Sequence, residues 1–174
     1  MSSSSTSYQI RHAQPGDLAA ILDILNHYVE THHCTFDTEP WSAEQKQGWF
    51  DGFSYSGPYQ LLVAEFERQV VGYAHSSRWR PKTGYDVTAE TTVYVDHRFQ
   101  AKGIGHALMQ SLVSRIADSG LTSLVAGISQ PAPGSNRLHE SLGYQSVGTF
   151  RGVGWKFGRG WDVRWYQLSL TQEN

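Results

Sequence analysis

One short stretch constrains this chain more than any other. Gln100-Ala101-Lys102-Gly103-Ile104-Gly105-His106-Ala107 lies between a Thr/Val/Tyr-rich run, Tyr85 to Val95, and an apolar series, Ile104, Ala107, Leu108, Ser111, Leu112 and Ile116. The run predicts a strand and the series predicts a helix over about 104–118. A helix start exposes unpaired N–H groups and the positive end of the dipole. Glycines there let a pyrophosphate approach the backbone, and Lys102 adds a point charge. On these residues alone, a glycine-rich turn before an ordinary helix is an equal reading. The stretch lacks the G-x-x-x-x-G-K-[ST] of a Walker loop. It also departs from the dinucleotide fingerprint, because the third position is Leu108 and several residues separate the glycines from Val95.

The remaining elements follow from spacing and punctuation. Tyr8 to His12 is a short strand. Asp17 is a plausible N-cap for a helix over 17–31, with Leu18, Ile21, Leu22, Leu25 and Val29 on one face. Ser42-Ala43-Glu44-Gln45 matches a capping box and starts a helix toward Phe53. Gln60 to Phe66 and Val70 to Trp79 predict a hairpin. Leu121 to Ile128 is a buried-type strand, followed past Pro131-Ala132-Pro133-Gly134 by a short helix at 135–142. Gln145 to Phe150 and Trp161 to Leu170 predict final strands around a glycine-rich bend. The order β-α-α-β-β-β-α-β-α-β-β indicates a mixed α/β, or α+β, class.

Composition sets the outer bounds. The 174 residues include 6 Trp, 9 Tyr and 7 Phe, which excludes a disordered chain. Length predicts one domain, placed at 8–172 after a flexible tail at 1–7. A net charge of -2 argues against a nucleic-acid binder, which is usually strongly basic. The single cysteine, Cys34, allows no internal disulfide. No apolar run approaches the length of a membrane span, and the first residues lack the pattern of a signal peptide. A cytoplasmic protein with no membrane or nucleic-acid partner is the expectation.

Several residues carry candidate chemistry, each beside a plainer reading. Glu90 stands in an otherwise uncharged run, Val87 to Val95, as a general base or as a solvated strand carboxylate. His139 is an acid, a second base or a packed ring. Arg78-Trp79-Arg80-Pro81-Lys82 gathers three cations in five residues, forming an anion site or a solvated loop. His32-His33-Cys34 hints at a metal or thiol nucleophile, but adjacent residues converge poorly on one metal; none is expected. Gly52 to Gly57 is not G-x-S-x-G, which disfavours a serine hydrolase. Trp155, Phe157, Trp161 and Trp165 mark an interface or a core-facing hairpin.

Six strings, in order, resemble the GNAT acetyltransferases and, within them, the phosphinothricin acetyltransferase group. They are Asn26-His27-Tyr28 with Thr35-Phe36 and Glu39-Pro40; Trp79 to Tyr85; Glu90 to Val95; the 100–107 stretch; Arg137 to Tyr144; and Gly154 to Gly158 with Trp161-Asp162-Val163. The resemblance implies a mixed, mostly antiparallel sheet, splayed between the strands at 85–95 and 121–128 and flanked by helices. It implies an N-acetyltransferase using acetyl-CoA as co-substrate, with no metal.

Carried over by motif, the pantetheine arm would pair with Val93, Tyr94 and Val95. The pyrophosphate would sit on Ala101, Lys102, Gly103, Ile104, Gly105 and His106, with Ser135 also at the cofactor. Glu90 would be the general base of direct transfer, and His139 a second catalytic group where many relatives carry Tyr. Phe36, Arg80, Lys82 and Tyr85 would line the substrate, and Tyr94 could reach it. The acceptor would be a small amino acid such as phosphinothricin, methionine sulfoximine or methionine sulfone, and the protein a homodimer. Ala132 stands where the group often has Asn, and Gly127 and Ser129 where Val and Gly are common. Rival functions are acetylation of a protein N-terminus or a polyamine, or CoA sensing without catalysis.

Overall fold

The computed structural model describes residues 8–171; the tail expected at 1–7 lies outside them, as does the domain end at 172. The chain runs β1 (Gln9–His12), α1 (Leu18–Thr31), α2 (Ala43–Asp51), β2 (Leu61–Phe66), β3 (Gln69–Arg78), β4 (Thr88–Val95), α3 (Ile104–Ile116), β5 (Ser123–Ser129), α4 (Pro133–Ser141), β6 (Gln145–Lys156) and β7 (Arg159–Ser169). One sheet takes the order β1-β2-β3-β4-β5-β7-β6. Neighbours are antiparallel except β4 and β5, which run parallel.

That parallel pair is brief. Thr88, Ala89 and Glu90 face Ser123, Leu124 and Val125, and there the ladder stops. β4 continues to Val95 along β3, while β5 continues to Ser129 along β7. The sheet therefore opens into a splay at Glu90. On one side of the sheet α3 buries Ile104, Leu108, Leu112 and Ile116 against Leu62, Ala74, Ala89 and Leu124. On the other, α1 buries Leu18, Ile21, Leu25 and Val29 against Val63 and Tyr73. Each such side chain contributes about 1.5–3 kcal/mol on burial, so the half of the sheet from β2 to β4 is held from both faces.

The local signals were partly right in detail. Ser42 Oγ accepts from Gln45 N at 3.3 Å and Gln45 Oε1 accepts from Ser42 N at 2.9 Å, closing the capping box of α2. Asp17 does not cap α1. Arg11 draws its carboxylate away at 2.6 Å while also pairing with Glu65 at 2.6 Å, and Asp17 accepts instead from Gln14 N at 2.7 Å. Tyr85 lies in a 3-10 turn, and the strand begins only at Thr88. α4 begins at Pro133, where a missing N–H costs nothing. The glycine-rich stretch is not a bend but the end of β6. The chain reverses at Phe157-Gly158, whose φ angles are 52° and 73°.

Candidate active site

The 101–106 turn has the conformation an anion cradle needs. Ala101 and Gly103 take left-handed φ of 59° and 76°, and turns with such residues can line an anion-binding concavity with backbone N–H groups. Gly103 is the N-cap of α3, and the first bond of the helix runs from Ala107 N to Gly103 O at 3.0 Å. The N–H groups of Ile104, Gly105 and His106 precede it and have no partner in that ladder. The two glycines serve different ends. Nothing crowds Gly103, so its role is conformational. A Cβ on Gly105 would stand 3.0 Å from Leu138 and 3.4 Å from Val95, so Gly105 lets α3 close on α4 and β4. The Lys102 ammonium lies over the Phe99 ring at 4.8 Å.

The register decides which β4 groups face the opening. Asp96 N donates to Val71 O at 2.9 Å, and bonded pairs in an antiparallel ladder recur every second residue. Tyr94 therefore spends its backbone on Tyr73, its partner in β3. Val93 and Val95 direct their backbone groups toward the splay. The backbone of Val93 thus suits an extended, amide-bearing arm, while the Val95 carbonyl also accepts from the Tyr28 hydroxyl at 2.6 Å. Ser135 is exposed near the start of α4. Asn136 does not replace the amide missing at Ala132, because it pairs with Gln130 in both directions at 3.0 Å.

Glu90 occupies the last paired position before the sheet opens. Ala89 faces the α3 core, so Glu90 faces the side of α1 and α2, opposite Ser77. Burial raises its pKa above the usual carboxylate value, and the charge of Arg80 opposes the rise. His139 comes from the other side, packed on Tyr144 and Tyr166. Its Nδ1 lies 2.8 Å from the Ser135 carbonyl, which can only accept. The neutral ring therefore carries its proton on Nδ1 and its lone pair on Nε2. Burial lowers its pKa, which favours that neutral form. No hydrogen bond joins Glu90 and His139; the splay is what lies between them. At the splay Thr91 Oγ1 meets Tyr144 Oη at 2.9 Å.

The basic loop divides. Arg78 is paired with Asp86 at 2.6 Å. Arg80 lies over Trp79 at 5.1 Å and acts on Glu90, while Lys82 is exposed. Tyr85 meets Trp79 edge-on at 5.2 Å. Phe36 lies across Gly154 of β6. Its neighbours do not form a metal cluster: His33 stacks on Trp161 at 4.0 Å, and Cys34 has its thiol pushed up to about 11 by desolvation. Trp155 and Phe157 are exposed, whereas Trp161 and Trp165 pack inward, the latter against Gly127.

The sequence reading missed His75 and assigned no role to Trp79. Period-2 alternation along β3 puts Tyr73, His75 and Ser77 on the Glu90 side, and Trp79 follows just past the end of the strand. His75 stands opposite Thr92, and burial lowers its pKa to about 4. Its Nδ1 and Trp79 Nε1 are shielded from solvent with no partner among the described residues.

The sequence matches one family whose solved members share this fold. Residues 10–165 match the acetyltransferase (GNAT) domain. The chain belongs to the GNAT acetyltransferases. This acetyltransferase is 43% identical over 164 residues to the phosphinothricin N-acetyltransferase of Streptomyces coelicolor, covering 93% of this chain and 96% of the relative. It is 36% identical to the L-methionine sulfoximine/L-methionine sulfone acetyltransferase of Pseudomonas paraeruginosa, covering 94% and 95%. A GNAT superfamily phosphinothricin acetyltransferase from Sinorhizobium meliloti, solved in complex with AcCoA, superposes with a TM-score of 0.88 at 31% identity, covering 93% and 88%.

Proposed function

We propose that this acetyltransferase moves the acetyl group of acetyl-CoA to the α-amine of a small amino acid, with phosphinothricin, methionine sulfoximine and methionine sulfone as the leading acceptors. The observation that carries the reading is Glu90. It is a half-buried carboxylate of raised pKa, at the point where the sheet opens and within the field of Arg80. The names of the relatives in Streptomyces and Pseudomonas support the same acceptor class.

The residues divide the work. Backbone N–H groups at 101–106 hold the pyrophosphate, and Val93 and Val95 hold the arm. Acetyl-CoA supplies an activated thioester. The acceptor amine must be neutral to attack, and Glu90 takes its proton directly or through one water. The new C–N bond forms, the C–S bond breaks, and the departing thiolate takes up the proton that the attacking nitrogen sheds as the amide forms. His139, neutral with Nε2 free, is suited to accept a proton before it donates one. Arg80 and Lys82 receive the acidic groups of the acceptor, Tyr85 and Phe36 bound it, and Ser135 lies beside the CoA arm. No covalent enzyme intermediate is needed.

A homodimer completes the proposal. β6 is an edge strand and exposes Val147, Phe150, Val153 and Trp155, with Phe157 exposed in the turn that follows. A patch of this kind is covered in most proteins, and light scattering should give twice the chain mass. We also place the protein in the cytoplasm, in keeping with its single cysteine and with no helix among the described residues being long and apolar enough to cross a membrane. The catalytic reading is tested by thiol release from acetyl-CoA with a panel of amino acids, polyamines and peptides. Turnover on sulfoximine or phosphinate amino acids supports it. Turnover on polyamines or peptide N-termini alone, or acetyl-CoA binding with no turnover, overturns it.

A further inference from the structure

Lys156 is a lysine where a charge is least expected. It lies on β6 with 4% of its surface exposed. A buried ammonium is costly unless its protons are all used. Here Nζ donates to the carbonyls of His32 at 2.8 Å, Thr35 at 2.9 Å and Tyr28 at 3.4 Å. Three protons meet three acceptors, which leaves the amine no free valence for chemistry. The acceptors are the last carbonyls of α1 and the loop that follows it. A cation is favoured there, because the helix dipole ends negative.

The same loop is held at two further points. The Phe36 ring lies against Gly154, which shares a face of β6 with Lys156, and a Cβ at Gly154 would collide with it. His33 stacks on Trp161 at 4.0 Å, with its Nδ1 2.9 Å from Ser129 Oγ. Trp161 Nε1 in turn donates to the Lys156 carbonyl at 2.8 Å. The β6–β7 hairpin thus clasps residues 32–36: the Lys156 ammonium bonds the loop carbonyls directly, while the Arg159 guanidinium lies over the Trp161 ring at 4.2 Å.

We infer that Lys156 is a positioning residue for the acceptor site, fixing the 32–36 loop and so the place of Phe36 without touching the substrate. This rests on the proposed reading of Phe36 as a wall of that site. A small displacement of a positioning wall lowers kcat/KM by about 10- to 100-fold. The effect falls on the acceptor, because the two short bonds of Nζ go to His32 and Thr35 of the loop. Tyr28, which also reaches the acetyl-CoA side through its hydroxyl, is held by Nζ only at 3.4 Å and keeps its helical bond to His32 N without it.

Lys156→Met keeps the apolar stem and removes the donors. It should raise the acceptor KM and leave the acetyl-CoA KM nearly unchanged. Phe36→Ala should raise the acceptor KM as well, and the double variant should be no worse than Phe36→Ala, since both act through one ring. Gly154→Ala moves the partly exposed ring while keeping the lysine, and should give the same split. Should Lys156→Met fail to fold, Lys156→Arg, which keeps the charge but cannot place three donors on the same three carbonyls, should show the same acceptor-only rise, and an unchanged acceptor KM there overturns the role of Lys156. A silent Phe36→Ala beside a defective Lys156→Met refutes the placement of the acceptor. A defective Phe36→Ala with a silent Lys156→Met, or multiplying effects in the double variant, overturns the role of Lys156 itself; an unchanged acceptor KM in Gly154→Ala overturns the Phe36 ring as the element through which the clasp acts.

Discussion

The Tyr28 hydroxyl donates to the Val95 carbonyl at 2.6 Å, tying the last turns of α1 to the end of β4. Gln100 Nε2 donates to the same hydroxyl at 2.7 Å. One phenol thus fixes both the edge of the splay and the first residue of the glycine turn. Tyr28→Phe leaves the carbonyl and the amide without this partner. An unsatisfied buried group costs about 1–3 kcal/mol. Urea unfolding should show a loss of that size, and calorimetry should show weaker acetyl-CoA binding. An unchanged midpoint would contradict this assignment.

Glu90 should trade stability for activity. Its pKa is higher in the folded state than in the unfolded state because burial disfavours the charge. The folded protein therefore holds that proton more tightly, and stability falls as pH rises through the folded pKa. At neutral pH Glu90→Gln should be more stable than the wild type, with the difference vanishing at low pH. The same variant should lose about 10²–10⁴-fold in turnover, the usual contribution of a general base, and keep its acetyl-CoA affinity. Wild-type turnover in Glu90→Gln would make Glu90 a spectator and move the base to His139.

Gly103 and Lys102 should differ in acetyl-CoA binding. Gly103 holds φ at 76°, where a side chain costs about 1–2 kcal/mol and a β-branched one more. Gly103→Val should weaken binding in calorimetry by distorting the N–H cradle. Lys102→Ala removes one exposed charge and should do less. Equal affinities for Gly103→Val and the wild type would take the pyrophosphate off this turn.

Much of the fold was legible because its signals are local. Leu18, Ile21, Leu25 and Val29 mark α1 by spacing alone, and Ser42 with Gln45 marks the start of α2. Features set by distant partners were not legible. Asp17 looks like a cap until Arg11 claims it. Lys156 looks like a surface lysine in an aromatic hairpin, and its acceptors lie more than a hundred residues away. Glycines 152–160 look like a bend, but Gly154 is small because Phe36 needs the room. The motif positions at 101–106 were carried by resemblance, while the different tasks of Gly103 and Gly105 needed the packing of Leu138.

Arg80 and Lys82 should act on charge in the acceptor. Losing a charged hydrogen bond costs about 1.5–3 kcal/mol, or about 10- to 150-fold in kcat/KM. Arg80→Ala should impose this on methionine sulfoximine and far less on a neutral amine without a carboxylate. Because Arg80 also lowers the Glu90 pKa, the acid limb of its pH profile should move up. Equal losses on both acceptors would indicate a damaged fold rather than a lost contact.

The most direct measurement is the mass of the product. The purified protein, acetyl-CoA and L-methionine sulfoximine are incubated together, with spermidine in a parallel reaction. The account predicts an amino acid heavier by one acetyl group, bonded at the α-nitrogen, with one free thiol released per product and spermidine unchanged. Acetylated spermidine with unaltered methionine sulfoximine, phosphinothricin and methionine sulfone would contradict it.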